Sequence, residues 1–379
     1  SMYPELNLSQ WPFHVTPDRD FASVWAGRPN TRRQLERLTR EMRLFPNSSL
    51  HILWANFGMG KTHALYHLRY LLEKNKDAPY IIPIYAVMPR RSTGFLELYR
   101  EIVQGLPYEF LRKQIQKLGN SYKGSISLHP MFQQSPGVVK ALLAMNDEDI
   151  EATTNARQWL AAQQGLSKSQ MDQIGVTYRI KTPEDALNAL SALTNLVCYD
   201  PNPEKTNRLV IMVDEYQRVG ERNPKIAAEN NSGLHSYFNA HPNGLHLILT
   251  FSFGNKKNVD FLLSDELKSR ARPQNISLDI LTENEAIEFI GDLFRQFRCE
   301  PDDRTSYPFS MEAVKNIINV IASNKTLTPR RLMHYFNFAL QQCVIDELEP
   351  GEQGYTVAQI ATYLAGSRLG DLDKDEADD

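Results

Sequence analysis

The sequence predicts an α/β protein with a three-layer core around a parallel sheet, a helical insertion and a C-terminal helical lid. Three observations support this fold class. A glycine-rich loop at residues 54–63 lies between a short apolar run and a segment whose apolar residues have helical spacing. A second apolar run, at residues 208–213, ends in two carboxylates, and helical patterns follow one another from residue 281 to about residue 365. Apolar runs that alternate with helical patterns are typical of a parallel sheet with helices on both faces.

The predicted chain begins with an irregular arm at residues 1–30. We predict a core over residues 31–279, with a helical insertion at about residues 105–205, then a lid over residues 280–366 and a disordered acidic tail over residues 367–379.

Apolar runs of strand length predict strands at residues 50–53, 80–87, 208–213 and 245–252, and residues 276–278 are also strand-like. Pro83 favours an edge position or a bulge for the second strand. Helical spacing predicts helices at residues 31–45, 64–72, 95–103, 138–145, 149–162, 183–197, 286–297, 311–322, 328–345 and 356–364. Polar turns are expected at residues 119–121 and 165–167.

The composition fits a cytoplasmic protein without a membrane partner. The chain has 379 residues, enough for more than one domain, and its 42% apolar and 23% charged content is ordinary for a globular protein. No segment approaches the run of about 20 apolar residues that spans a bilayer. The three cysteines lie far apart, as expected of reduced thiols. Because the net charge is -3, any contact with DNA must come from a local basic patch.

The glycine-rich loop has the layout of a phosphate-binding P-loop, and its residues from Ala55 to His63 are Ala55, Asn56, Phe57, Gly58, Met59, Gly60, Lys61, Thr62 and His63. Gly58 and Gly60 allow backbone N–H groups to curl around a phosphate. Lys61 is expected on the β- and γ-phosphates and Thr62 on Mg²⁺, at a helix N-terminus that favours anions. Ala55 stands where the usual pattern has glycine, but it is also small.

The apolar run at residues 208–213 ends in Asp214 and Glu215. Ligands of open α/β sheets bind at the carboxyl ends of the strands, so both side chains are expected near the phosphates. Asp214 is predicted to hold Mg²⁺ through water, and Glu215 to orient and deprotonate the attacking water. A polar residue at the end of the strand at residues 245–252 can help to position this water. Ser252 is the first choice, with Thr250 and Asn255 as alternatives, and a purely structural hydroxyl is equally compatible with the pattern.

Two further segments leave alternatives open. The arm is rich in aromatic residues at 11–13 and 21–28, and it can lay its backbone and rings against an adenine or simply pack in the core. The first helix carries five arginines against two glutamates, so it can bind a phosphate backbone or present a solvated face; its arginines are Arg32, Arg33, Arg37, Arg40 and Arg43.

The order of these motifs resembles that of the AAA+ ATPases, over residues 20–110 and 205–350. The pairs Gly27-Arg28, Ser269-Arg270 and Arg330-Arg331 are most similar to the clade of replication initiators and related signal-type ATPases. This resemblance implies ATP and Mg²⁺ as ligands. It also implies that Arg270, or else Arg272, acts as an arginine finger on a neighbouring subunit's nucleotide, and that Arg330, or else Arg331, reaches the γ-phosphate from the lid.

A narrower resemblance concerns the insertion, whose segments 141–145, 156–160 and 175–176 look like those of ATP-binding proteins of bacteriophage-exclusion systems. That resemblance implies ATP-dependent work on DNA in prokaryotic anti-phage defence, beside helicase, methyltransferase or nuclease partners.

Three functions are therefore compared. The first is an ATPase that assembles on double-stranded DNA as a ring or filament and recruits effector proteins; ATPases that regulate transposition, with a transposase partner, fit the same description. The second is a monomeric nucleotide switch that docks a protein partner. The third, a DNA-translocating motor, ranks last because the sequence has no second ATPase core and no set of helicase motifs.

Overall fold

The computed structural model of the protein describes residues 3–221, 223–252, 262–273 and 275–365. The strands are β1 (Ser49–Ala55), β2 (Ile81–Val87), β3 (Arg208–Asp214), β4 (Leu245–Ser252) and β5 (Ile276–Leu278). The helices up to β3 are α1 (Pro29–Leu44), α2 (Lys61–Glu73), α3 (Phe95–Gln104), α4 (Tyr108–Ser121), α5 (Pro136–Ala144), α6 (Ile150–Leu160), α7 (Lys168–Gln173) and α8 (Pro183–Cys198). The later helices are α9 (Pro224–Ala240), α10 (Asp265–Arg270), α11 (Glu283–Gln296), α12 (Met311–Ala322), α13 (Pro329–Ile345) and α14 (Val357–Leu364).

The strands form one five-stranded parallel sheet in the order β2-β3-β4-β1-β5, which confirms the predicted α/β class. β3 and β4 are mostly apolar and are buried along their whole length, as expected of inner strands of a parallel sheet. β2 lies at one edge, as Pro83 indicated. The register pairs Val87 with Asp214 and Val213 with Leu249, so Asp214 ends β3 beside Thr250 of β4.

Two compact units make up the described chain. The first contains residues 3–37, 55–71 and 277–365, and the second contains the described residues of 38–54 and 72–276. Each has its own apolar core. The predicted boundaries between arm, core, insertion and lid stay predictions.

In the second unit, helices α3 to α8 lie between β2 and β3, and three of the helices predicted in the insertion are present as α5, α6 and α8. The turn predicted at residues 119–121 is wrong, because these residues form the last turn of α4. Leu111, Ile115 and Leu118 bury one face of α4, and this packing outweighs the low helix propensity of Gly119 and Asn120. The predictions also missed α7, a helix of only 6 residues.

In the first unit, the helices of the predicted lid begin at the expected caps. Thr282 with Glu285, and Thr356 with Gln359, form capping boxes at the starts of α11 and α14. The predicted helices at 286–297, 311–322, 328–345 and 356–364 are thereby confirmed within a few residues. Phe13 of the arm packs against α11 and α13 in this core.

None of the helices that the structure describes is long and apolar enough to cross a membrane. Asn255 and the predicted tail at residues 367–379 lie outside the described residues.

A buried polar chain crosses from β1 to β4 in the second unit. Ser49 Oγ lies 2.6 Å from His246 Nδ1 and 2.8 Å from His51 Nε2. Burial, with a smaller contribution from Arg272, lowers the pKa of His51 to about 4. Burial, followed by the charges of His51 and nearby arginines, lowers the pKa of His246 to about 3. Both imidazoles are therefore neutral in the folded protein near pH 7.

We expect this chain to make the protein acid-sensitive. A histidine with a lowered pKa stabilises the fold fully above its unfolded pKa of about 6.5, and the contribution is lost as the pH falls toward the folded pKa. The free energy of unfolding, measured by urea titration, should therefore fall between pH 6.5 and about pH 4. In His246→Asn, which keeps a polar atom near the Nδ1 position, the fall should be smaller. The same pH dependence in both proteins would contradict this prediction.

Candidate nucleotide-binding site

The phosphate loop lies in the first unit, where residues 55–60 lead into α2 at Lys61. Gly58 and Gly60 have φ values of +73° and +81°. Side chains are disfavoured in this left-handed region, so the two glycines are needed for the shape of the loop. Lys61 is buried at the first position of α2. The loop therefore has the glycine conformation and the following lysine that the sequence predicted.

The carbonyl groups of two successive loop peptides are held by neighbours in the same unit. The backbone N–H of Arg330 donates to Gly58 O at 3.2 Å, and Arg28 Nη1 donates to Met59 O at 2.5 Å. In a trans peptide the C=O and N–H groups point in opposite directions. The N–H groups of Met59 and Gly60 are therefore directed away from Arg330 and Arg28, in an arrangement suited to an anion.

The start of α13 lies against this loop. A methyl group at Gly58 would lie 3.2 Å from Cβ of Arg330 and 3.5 Å from Oγ1 of Thr328. The side chain of Arg331 instead donates through Nη1 to Oγ1 of Thr326, at 2.7 Å. Of the two lid arginines, Arg330 is the one that the structure places on the phosphate loop.

The aromatic arm packs against α2. The Trp25 ring is stacked on His63, with centroids 6.2 Å apart, and its Nε1 donates to Gly27 O at 2.8 Å. Nε2 of His63 lies 2.6 Å from Val24 O, and burial lowers the pKa of His63. The side chains of Trp25 and His63 thus contact each other and the arm, which favours the packing alternative for Trp25.

The two carboxylates lie in the second unit, at the end of β3. Asp214 is buried and accepts three hydrogen bonds: from the Tyr85 hydroxyl at 2.6 Å, from Thr250 Oγ1 at 2.6 Å and from the Glu215 N–H at 3.0 Å. These donors fix the carboxylate of Asp214 and stabilise its charge.

Glu215 has a φ of +56°, an unusual value for a residue other than glycine. Its carboxylate accepts a hydrogen bond from Gln217 Nε2, and Gln217 Oε1 accepts one from the Ser252 N–H at 3.1 Å. Backbone strain of this kind persists where the surroundings hold it in place, and it is frequent at functional sites.

The two polar candidates on β4, Thr250 and Ser252, make different contacts. Thr250, the second choice, is the residue whose hydroxyl binds Asp214, whereas the backbone of Ser252 binds Gln217. The role of Ser252 beside the γ-phosphate stays a prediction. The predicted site did not include Tyr85, because the register of β2 against β3 cannot be obtained from the sequence. It also did not include Gln217, whose contacts with Glu215 and Ser252 depend on the shape of the connection after β3.

The two candidates for the arginine finger, Arg270 and Arg272, differ in their contacts. Arg272 donates to Glu41 Oε1 at 2.8 Å, within the same unit. Arg270, the last residue of α10, is exposed, and its side chain makes no hydrogen bond or ion pair with residues that the structure describes. Its guanidinium is thus available for a partner.

Comparison with solved structures identifies the fold. The Aeropyrum pernix ORC2 protein in its ADPNP–ADP complexes has a TM-score of 0.52 and 12% sequence identity, covering 93% of this chain and 70% of that chain. Its ADP form has a TM-score of 0.50 and 13% identity, covering 93% and 73%. The chain shares the AAA+ fold of the A. pernix ORC2 protein. A. pernix ORC1 in complex with DNA has a TM-score of 0.47 and 13% identity, covering 92% and 67%.

The AAA+ fold thus confirms the broader resemblance. No protein-family model matches the chain, and no curated protein matches it. The narrower resemblance to bacteriophage-exclusion proteins stays a prediction.

Gly58 gives a direct test of the phosphate loop. In Gly58→Ala the methyl group would meet Arg330 at 3.2 Å. The left-handed backbone would cost a further ~1–2 kcal/mol, so we expect ATP affinity to fall roughly 5- to 30-fold. Titration of a fluorescent ATP analogue measures this loss. Gly165→Ala is the control, because a methyl group there meets nothing within 4 Å. Equal affinities of the two variants would contradict the assigned role of Gly58.

Proposed function

We propose that the chain binds and hydrolyses ATP. The orientation of the phosphate loop carries this proposal: two adjacent carbonyls are held by Arg330 and Arg28, so the N–H groups of Met59 and Gly60 are preoriented for phosphate oxygens. The fold shared with A. pernix ORC2, whose solved complexes hold ADPNP and ADP, supports the same ligand class.

The loop residues take separate roles in this proposal. The backbone of residues 55–60 surrounds the phosphates, Lys61 neutralises the β- and γ-phosphates, and the first turn of α2, with Thr62 and His63, adds its N–H groups. Thr62 and Asp214 hold Mg²⁺, which stabilises the charge that develops on the phosphates. A hydroxyl and a carboxylate are oxygen ligands of the kind that Mg²⁺ prefers.

The sheet order supports a common role for the loop and the carboxylates. β4 lies between β1 and β3 in a parallel sheet, so the carboxyl ends of all three strands meet at one edge. Ligands bind at this edge in open α/β sheets. In the proposed reaction Asp214 is fixed by Tyr85 and Thr250. Glu215 accepts a proton from the attacking water, and Ser252 or Thr250 helps to position that water.

Two arginines complete the proposed site. Arg330 approaches the γ-phosphate from α13, which already lies on Gly58. The exposed Arg270 acts on the nucleotide of a neighbouring subunit, so that ATP favours self-association into a ring or filament.

Double-stranded DNA is the proposed platform for this assembly. The glutamates of α1 are ion-paired, Glu36 with Arg32 and Glu41 with Arg272. The remaining arginines of α1 are exposed and have no acidic partner in the described chain; they are Arg33, Arg37, Arg40 and Arg43. Uncompensated arginines on one helix favour a phosphate backbone.

Effector proteins of the helicase, nuclease, methyltransferase or transposase type are the proposed protein partners, in anti-phage defence or in regulating transposition.

A protein-docking switch is the second candidate. Two apolar side chains of the insertion, Leu128 and Ile150, are each 78% exposed. Large exposed apolar side chains are frequent at binding surfaces for proteins. In this alternative a monomer binds its partner through the insertion, and Arg270 has no role in hydrolysis.

The hydrolytic role of Glu215 is tested by Glu215→Gln. We expect kcat to fall roughly 10²- to 10⁴-fold because the general base is lost, while the Kd for ATP is unchanged. Phosphate release and ATP titration measure the two quantities. Glu221→Gln removes an exposed glutamate from the same connection and should behave as the native protein. Native kcat in Glu215→Gln would refute Glu215 as the base.

Trans action of Arg270 is tested by mixing variants. Arg270→Ala and Glu215→Gln should each be inactive alone, whereas their mixture should regain hydrolysis at interfaces that join an intact Glu215 to an intact Arg270. Light scattering with ADPNP, with and without duplex DNA, gives the size of the assembly. If the protein stays monomeric and hydrolyses ATP at the same rate with and without DNA, the assembly proposal is excluded and the docking switch is favoured.

A further inference from the structure

Arg28 is a half-buried arginine in the first unit with two backbone acceptors. Its Nη1 donates to Met59 O at 2.5 Å, and its Nη2 donates to Asp279 O at 3.0 Å. Met59 belongs to the phosphate loop, and Asp279 is the first residue after β5, on the connection to α11. One guanidinium therefore joins the loop to the segment that leads into the lid.

The backbone around Arg28 is held in an unusual conformation. Gly27 and Arg28 have φ values of +58° and +48°. The Gly27 N–H donates to Asp292 Oδ2 at 2.9 Å, and Gly27 O accepts from Trp25 Nε1 at 2.8 Å. A methyl group at Gly27 would lie 3.3 Å from Phe289. The arm is thus fixed against α11, and it directs the Arg28 side chain onto the loop at the expense of backbone strain.

The charge of Arg28 is only partly compensated. Both of its hydrogen-bond acceptors are neutral carbonyls, and it forms no ion pair within the described part of the chain. Burial lowers its pKa to about 10, against the opposing effect of Glu285 and Asp279. Arg28 is therefore still protonated at pH 7. A half-buried cation beside the loop favours an anion on that loop.

We propose that Arg28 is a positioning residue for the phosphate loop, which rests on the proposed binding of ATP. By holding Met59 O, the guanidinium fixes the plane of the Met59–Gly60 peptide and keeps the Gly60 N–H directed at the phosphate. By holding Asp279 O as well, it ties this orientation to the start of the lid segment.

The two acceptors explain why the residue is arginine. A guanidinium is planar and presents N–H groups in several fixed directions, so it can bind both carbonyls at once. The ammonium of a lysine is a compact point charge at the end of a flexible stem, so Arg28→Lys keeps the charge but not the double attachment. Arg28→Gln loses the charge and retains only a shorter donor.

The test compares ADP and ATP affinities of native protein, Arg28→Lys and Arg28→Gln. Loss of a charge-assisted hydrogen bond predicts Kd values raised roughly 10- to 100-fold in Arg28→Gln, with Arg28→Lys between this variant and the native protein. The melting temperature of each free variant serves as the folding check. If Arg28→Gln does not fold, the affinity of Arg28→Lys decides.

Arg19→Gln is the matched control, because Arg19 lies on the same arm but stacks 5.6 Å above the ring of Tyr66. It should bind both nucleotides as the native protein does. Native affinity in Arg28→Gln or Arg28→Lys would overturn the role of Arg28 while leaving ATP binding intact. A native protein that binds neither nucleotide would refute the proposed function itself.

Discussion

The hydrogen bonds on the carbonyl groups of Gly58 and Met59 are the constraint on which the proposed chemistry depends. A loop with two left-handed glycines has many accessible shapes, and its entropy would oppose phosphate binding. The N–H of Arg330 and the guanidinium of Arg28 remove this freedom from the side opposite the phosphate. The arm and the lid therefore stabilise a preorganised site for phosphate, although neither supplies the loop's own N–H donors.

In the second unit, hydrogen bonds hold Asp214 in a similar way. Three donors fix its carboxylate, and the next residue, Glu215, is held in a left-handed conformation. Adjacent residues of a regular strand point to opposite faces, so a left-handed turn at Glu215 gives its side chain a direction that the strand would not. In the proposed reaction, a rigid carboxylate that would hold Mg²⁺ lies beside a strained, partly exposed base, a division of roles suited to phosphoryl transfer.

The sequence allowed the elements with local signals to be predicted. Two of the lid helices begin at capping boxes, β3 is apolar from Leu209 to Val213, and the phosphate loop has a fixed spacing of glycine, lysine and threonine. The contacts that assemble the site depend on distant residues. Tyr85 reaches Asp214 only because of the β2–β3 register, and Thr250 lies beside it only because Val213 pairs with Leu249. The bond from Arg28 to Met59 likewise depends on how the arm packs against α11.

The central claim is that the phosphate loop binds a nucleoside triphosphate, and calorimetric titration of ATP into native protein and Lys61→Ala tests it most directly. In the proposed complex Lys61 supplies the positive charge for the β- and γ-phosphates, and a charged hydrogen bond to phosphate is worth ~1.5–3 kcal/mol. Native protein should bind ATP, and Lys61→Ala should bind it roughly 10- to 100-fold more weakly at an unchanged melting temperature. Equal affinities, or no binding by the native protein, would contradict the claim.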